Sequence, residues 1–208
     1  MQRGDLNLII GNMFANKTGW LITRVETLRE FGRRRILVFK PTTDTRSDNG
    51  FIKSHHGKKM AAMEMPIGDP KALFEILREQ EIILGCKYDV LAFDEIQFFS
   101  ANSGFYQIID ALLGRGYYII AAGLALDFKC EPFGSTLLLV GLCQNGNNIM
   151  WLTSFCAKCG EPAPLPQRII DGNPAPYNSP QILVGGKEAY EARCYDCFEL
   201  PGRPNFRF

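Results

Sequence analysis

Excess charge is what this 208-residue chain most plainly lacks: 23 Lys and Arg against 22 Asp and Glu leave a formal net charge of +1. So even a balance gives no basis for a nucleic-acid partner or a polyanionic surface. The one basic cluster, Arg33-Arg34-Arg35, follows an expected helix end, where cations are favoured, and reads as a solvated cap. Long apolar runs are missing too. None approaches the roughly 20 residues that span a bilayer, so no membrane partner is expected. Met1-Gln2-Arg3-Gly4-Asp5 leads directly into a short apolar strand, without the hydrophobic stretch and cleavage site of a secretory signal. A cytoplasmic location is the expectation. Histidine is scarce: the chain has 2, His55 and His56, and both read as structural or surface residues because neither has an evident orienting partner. Internal repeats and low-complexity tracts are absent.

What is present is an ordinary globular composition, 46% hydrophobic and 22% charged. The length suits one domain with a full core, or a core domain with a small appendage. Residues 6–10, 36–39, 90–93 and 118–122 are short apolar runs that read as buried strands. Between them, Leu21, Ile22, Val25 and Leu28 fall on one helical face, with Gly32 as a stop. Pro70 opens a second helix carrying Leu73, Ile76 and Leu77. Residues 105–113 form a third, stopped by Gly114. Residues 42–57 are polar and read as a loop. Strands alternating with helices predict an α/β fold, a parallel sheet with helices on both faces. After roughly residue 150 the apolar period fades, and prolines and glycines become frequent from Pro162 to Gly186. The expected division is a core domain over 1–148 and a small unit over 149–208.

Gly11-Asn12-Met13-Phe14-Ala15-Asn16-Lys17-Thr18 lies between a strand and a helix, the context required of a phosphate-binding loop. Backbone N–H groups at a helix N-terminus can cradle phosphates. Lys17 would reach the β- and γ-phosphates of ATP, and the Thr18 hydroxyl would ligate Mg²⁺. The motif calls for Gly where Asn16 stands. Asn is among the best non-Gly residues at positive φ, so the loop can keep its shape. A plain strand–turn–helix with a chance Lys-Thr pair is the alternative. The run 90–93 ends in Asp94-Glu95. An Asp at such a strand end holds Mg²⁺ in phosphate-loop enzymes, which frees Glu95 to act as a base; two solvated loop acids are the bland reading.

Of 7 cysteines, four form two C-x-x-C pairs, Cys156/Cys159 and Cys194/Cys197. Four thiolates in two knuckles suit a structural, tetrahedral Zn²⁺. Two disulfides or a redox pair are the alternatives, disfavoured in the expected compartment. Cys86 and Cys143 read as small buried apolar residues.

The local sequences resemble the type II thymidine kinase family over essentially the whole chain. Gly11-x-Met13-Phe14-x-x-Lys17-Thr18 is similar to that family's phosphate loop. Phe39-Lys40-Pro41 with Asp44-Thr45-Arg46, then Asp94-Glu95-Ile96-Gln97-Phe98-Phe99, Pro132-Phe133-Gly134 and the cysteine pairs follow in the family's order. The resemblance implies a phosphate-loop NTPase-like (RecA-like) core and a C-terminal zinc ribbon carrying a lasso loop. It implies transfer of the γ-phosphoryl group of ATP to the 5′-hydroxyl of thymidine, with deoxyuridine a further acceptor. Glu95 would be the general base and Arg46 would stabilise charge on the phosphates. Gly11 to Thr18, with Asp94, would bind ATP and its metal. Met13, Asp44, Phe98, Leu124, Phe128 and Phe133 would bind the nucleoside. Ile182, Leu183 and Val184 would meet the pyrimidine edge, and Tyr190 would cover the sugar or base. A homotetramer and dTTP as feedback inhibitor are also implied.

The chain departs from that pattern at ligand positions. Asn12 replaces Pro, Asn16 and Ile96 replace Gly, Cys130 stands where relatives often have Gly, Ala125-Leu126 replaces a more polar pair, and Pro166 replaces a Thr. Pro166 supplies neither hydroxyl nor N–H, and a lost polar contact reduces discrimination as well as affinity. A catalytically impaired nucleotide-binding relative with altered base preference is the alternative function.

Overall fold

The strands of this chain are buried on both faces, and that fixes the architecture. β1 (Leu6–Gly11), β2 (Ile36–Pro41), β6 (Val90–Phe93) and β7 (Tyr118–Gly123) are almost wholly enclosed. The computed structural model describes residues 2–44, 50–143, 148–183 and 189–204. With β5 (Met63–Met65) and β8 (Ile149–Leu152) those strands form a six-stranded sheet in the order β5-β2-β6-β7-β1-β8. Every neighbouring pair in it is parallel.

Side chains alternate across the sheet with the period of two that a pleated strand imposes. Leu6, Leu8 and Ile10 of β1 and Leu37 and Phe39 of β2 enter one core, beneath α2 (Ala72–Leu84), α3 (Phe105–Gly114) and α4 (Thr136–Val140). Ile9, Ile36 and Val38 enter the other, against Leu21, Ile22 and Val25 of α1 (Lys17–Glu30). Helices thus cover both faces, as a parallel sheet requires. None of the described helices is long and apolar enough to cross a membrane.

Several local expectations are corrected. Residues 42–57 are not all loop: β3 (Phe51–Lys53) pairs antiparallel with β4 (Lys59–Ala61), and buried Ile52 and Met60 pack on the α1 side. The left-handed residue after α1 is Arg33 (φ 50°), not Gly32, and that after α3 is Gly116, not Gly114. In the first case Gly32 and Arg34 donate to the Thr27 and Leu28 carbonyls, closing the helix end. Arg35 is no free cap. It forks onto Asp89 (2.9 and 3.0 Å), joins the starts of β2 and β6, and holds that carboxyl down at about 2.

The C-terminal residues build smaller sheets beside the carboxyl ends of the large one. β9 (Ser154–Phe155) pairs with β10 (Pro162–Ala163), and β11 (Leu165–Ile170) lies between β12 (Asn173–Pro174) and β13 (Tyr190–Arg193). β8, at the head of the expected second unit, pairs with β1 as the edge strand of the main sheet.

Candidate active site

A cleft opens where β1, β6 and β7 end, the crevice in which open parallel sheets bind ligands. Residues from both ends of the chain line it, including Met13, Asn16, Lys17, Thr18, Glu95, Leu124, Pro166 and Tyr190.

The loop after β1 supplies one wall. Phe14 (φ 64°) and Asn16 (φ 60°) both take the left-handed conformation, and the Asn16 carbonyl accepts the first helical hydrogen bond, from Trp20, at 3.1 Å. Asparagine therefore meets the backbone demand that glycine normally meets. Its side chain needs room, and Gly19 provides it: a Cβ at 19 would lie 2.2 Å from Asn16 Oδ1. That oxygen is buried without a partner. Lys17 is buried, its Nζ donating to the Asn12 carbonyl at 3.0 Å.

β6 delivers the acids. Thr18 Oγ1 donates to Asp94 Oδ2 at 2.9 Å, so a loop hydroxyl and a strand-end carboxylate 76 positions apart share one spot. Glu95, also buried, has φ 53°, an uncommon conformation for a non-Gly residue and of the kind that clusters at functional sites. Gln97 fixes its direction. Leu124 N donates to Gln97 Oε1 at 3.0 Å, which leaves the Gln97 amide nitrogen facing Glu95, to which it donates. Ile96, next to Glu95 in sequence, does not line the cleft. It is fully buried in the core under α3, over Gly123, where a Cβ would meet it at 2.6 Å.

The far wall is apolar. Met13, Leu124, Phe128, Phe133 and Tyr190 form one buried cluster with Phe98 packed on it, and the Phe98 and Phe133 rings meet edge-on at 6.0 Å. Against this wall lies Arg168, 2% exposed. Its guanidinium stacks on Phe128 at 3.9 Å, donates from Nε to the Tyr190 hydroxyl at 3.0 Å and from Nη2 to the Gln181 carbonyl at 2.7 Å, and also bonds the Pro180 carbonyl. No acidic side chain pairs with it among the described residues. The Tyr190 hydroxyl donates onward to Leu183 O at 2.8 Å, and burial pushes this phenol up despite Arg168, so it stays protonated. Asp127 Oδ2 accepts from Gln181 Nε2 at 2.8 Å, a second tie to the same segment.

Most of the expected residues thus come together: Met13, Phe14, Asn16, Lys17, Thr18, Glu95, Phe98, Leu124, Phe128, Phe133, Ile182, Leu183 and Tyr190 all line the cleft. Gly11, Asn12 and Ala15 belong to the same loop without lining the cleft, and Asp94 meets it through Thr18. Asp44 is buried at the end of β2, away from the lining, its N–H on the Pro41 carbonyl at 3.0 Å. Arg46 and Val184 lie outside the described residues. His55, expected to be structural or surface, lines the cleft with its ring 5.0 Å from that of Phe14. Arg168, Asp127 and Gln181 went unrecognised in the sequence. Their partners are mostly main-chain carbonyls or side chains remote in sequence, which leave no motif. Cys130 also lies off the cleft, at φ 62°, so a second residue read as replacing glycine takes the backbone conformation that favours glycine.

The four paired cysteines converge at one end of the small sheets. Their Sγ atoms lie within 4.8 Å of one another, and Cys159 and Cys194 are 3.6 Å apart. None is in a disulfide. Sulfurs around a tetrahedral ion with bonds of about 2.3 Å stand roughly 3.8 Å apart, so this donor set fits one such ion.

The sequence profile of the thymidine kinase family matches residues 4–198. A thymidine kinase of Thermococcus kodakarensis is 42% identical over 198 residues, covering 95% of each chain. One of Pyrobaculum aerophilum is 44% identical over 198 residues, covering 94% of this chain and 99% of its own. This chain belongs to the thymidine kinase family. The six-stranded parallel sheet and the four-cysteine cluster accord with a thymidine kinase fold.

Proposed function

We propose that this protein transfers the γ-phosphoryl group of ATP to the 5′-hydroxyl of thymidine, giving dTMP and ADP. The observation that carries the reading is the meeting of Lys17, Thr18 and Glu95 in one cleft with an apolar pocket of Met13, Leu124, Phe128 and Phe133. The loop 11–18 and Lys17 would hold the phosphates, and Thr18 with Asp94 would hold Mg²⁺. When bound, that metal neutralises charge on the phosphate oxygens. Glu95 would accept the proton of the 5′-hydroxyl as its oxygen bonds to the γ-phosphorus and the bond to the leaving β-phosphate oxygen breaks. Gln97 would keep the carboxylate aimed at that hydroxyl. Arg46 belongs to the expected machinery as a charge stabiliser.

The pyrimidine would slot among the aromatic and aliphatic walls, with Ile182, Leu183 and Val184 at its edge. Arg168, held by carbonyls and by Phe128, would fix the covering segment rather than bind phosphate. With Pro166 in the wall, base discrimination would rest on main-chain groups and shape. The four cysteines would hold a structural zinc ion. The finer expectations are two units, 1–148 and 149–208, a cytoplasmic homotetramer, and inhibition by dTTP.

A coupled ADP-release assay with Mg-ATP and thymidine, deoxyuridine, deoxycytidine or no nucleoside tests the reading. Turnover led by thymidine and followed by deoxyuridine is expected. The alternative, a relative that binds nucleotide without turnover, predicts silence with every nucleoside.

A further inference from the structure

Position 12 carries asparagine where the resembling family has proline, and phosphate binding by main-chain N–H groups does not call for a side-chain amide there. The amide is nonetheless fully engaged and buried. Asn12 Nδ2 donates to the Ala163 carbonyl at 2.9 Å and to the Leu165 carbonyl at 2.8 Å. Its Oδ1 accepts from the Met13 N–H at 2.7 Å. Its own carbonyl accepts from Lys17 Nζ at 3.0 Å. A single residue therefore touches the phosphate lysine, the Met13 wall of the nucleoside pocket, and the two carbonyls that flank Pro164 where β10 passes into β11.

The two N–H bonds of one amide reach both carbonyls at once; without them the Ala163 carbonyl keeps a longer contact from Ser154 Oγ, at 3.4 Å, and the Leu165 carbonyl loses this donor. A second tie runs parallel to the first, from Ser154 Oγ to the Met13 carbonyl at 2.9 Å. The next residues along β11 are Pro166, in the cleft wall, and Arg168, which holds the covering segment.

We propose that Asn12 is a positioning residue that couples the ATP site to the nucleoside-covering strands, so that the phosphate loop, β10 and β11 respond to ligand as one body. This rests on reading the loop as an ATP site. Nucleotide on the loop then orders β11 before any nucleoside arrives, and nucleoside held beneath β11 tightens nucleotide in return, because coupling between sites is reciprocal.

Hydrogen–deuterium exchange on the zinc-loaded protein tests this, with and without a non-hydrolysable ATP analogue and Mg²⁺, in wild type, Asn12→Ala and Asn12→Asp. Aspartate keeps an acceptor for Met13 but sets a carboxylate against two carbonyls, so it breaks the tie to β10 and β11 with little change of shape. In wild type the analogue is expected to slow exchange both around Lys17 and over 165–170. In either variant, at analogue concentrations raised until the loop is occupied, slowing around Lys17 should persist while slowing over 165–170 is lost. The quantity read is the change on adding nucleotide, which a merely less stable variant does not imitate. Undiminished slowing over 165–170 in the variants overturns the proposal, as does wild type that responds around Lys17 alone. Wild type with no response around Lys17 overturns the ATP-site reading itself, and the coupling with it.

Discussion

The Thr18 hydroxyl donates to the Asp94 carboxylate across 2.9 Å. One residue starts α1 and the other ends β6, so their meeting is made by the parallel order of the sheet and not by any local turn. A hydroxyl and a carboxylate set side by side, next to the buried ammonium of Lys17, make a divalent-cation half-site that phosphate oxygens would complete. Asp94→Asn should therefore weaken Mg-ATP binding by about tenfold or more, the order expected when a metal ligand or its hydrogen-bonded support is lost, with much less effect on metal-free ATP. Titration calorimetry with and without Mg²⁺ reads the difference, and equal losses in both would contradict the assignment.

Asn16 and Gly19 are matched to each other. Gly19→Ala places a methyl where Asn16 Oδ1 lies and should push the amide toward the cleft, weakening nucleotide binding. Asn16→Gly removes that collision and an orphan buried acceptor of the kind that costs about 1–3 kcal/mol. The double variant should recover the affinity lost in Gly19→Ala. The expected coupling is about 0.5–3 kcal/mol in a double-mutant cycle, and strict additivity would show that the two side chains do not interact.

Arg168 is a buried fork whose donors are spent on the covering segment. Lysine cannot reproduce that geometry. Arg168→Lys should raise the KM for thymidine by about tenfold or more, as for other losses of buried charged hydrogen bonds, while the affinity for ATP alone changes little. Steady-state kinetics at saturating ATP give the first value and equilibrium titration the second. An unchanged KM would remove Arg168 from the nucleoside site.

For the cysteine cluster the expectation is about one zinc per chain by elemental analysis, since structural sites use all four protein ligands. Cys194→Ser should lower both the metal content and the melting temperature, because the ligands are pinned by the ion only in the folded state. A metal-free protein that melts at the same temperature would contradict a structural role.

Much of this was legible in the chain itself. β1, β2, β6 and β7 announce themselves because strands covered on both faces are continuous apolar runs. Lys17, Thr18, Asp94 and Glu95 stand at the strand ends where such folds place their chemistry. The hairpin of β3 and β4 was hidden because three-residue strands with one buried side chain each give no period to read. Ile96, beside Glu95 in sequence, turns the other way because residue 123 is glycine and leaves it a hole in the core, a match the sequence does not show. Arg168 and Asn12 act mainly on main-chain carbonyls, and carbonyls carry no sequence signature.

The most direct test of the account is transfer of labelled γ-phosphate from ATP to thymidine, comparing wild type with Glu95→Gln. Labelled dTMP should form with wild type, and loss of the base should slow its formation by about a hundredfold or more while ATP still binds. No dTMP from folded, zinc-loaded wild type, or equal rates from both proteins, would contradict the assignment of this cleft as a nucleoside kinase site with Glu95 as its base.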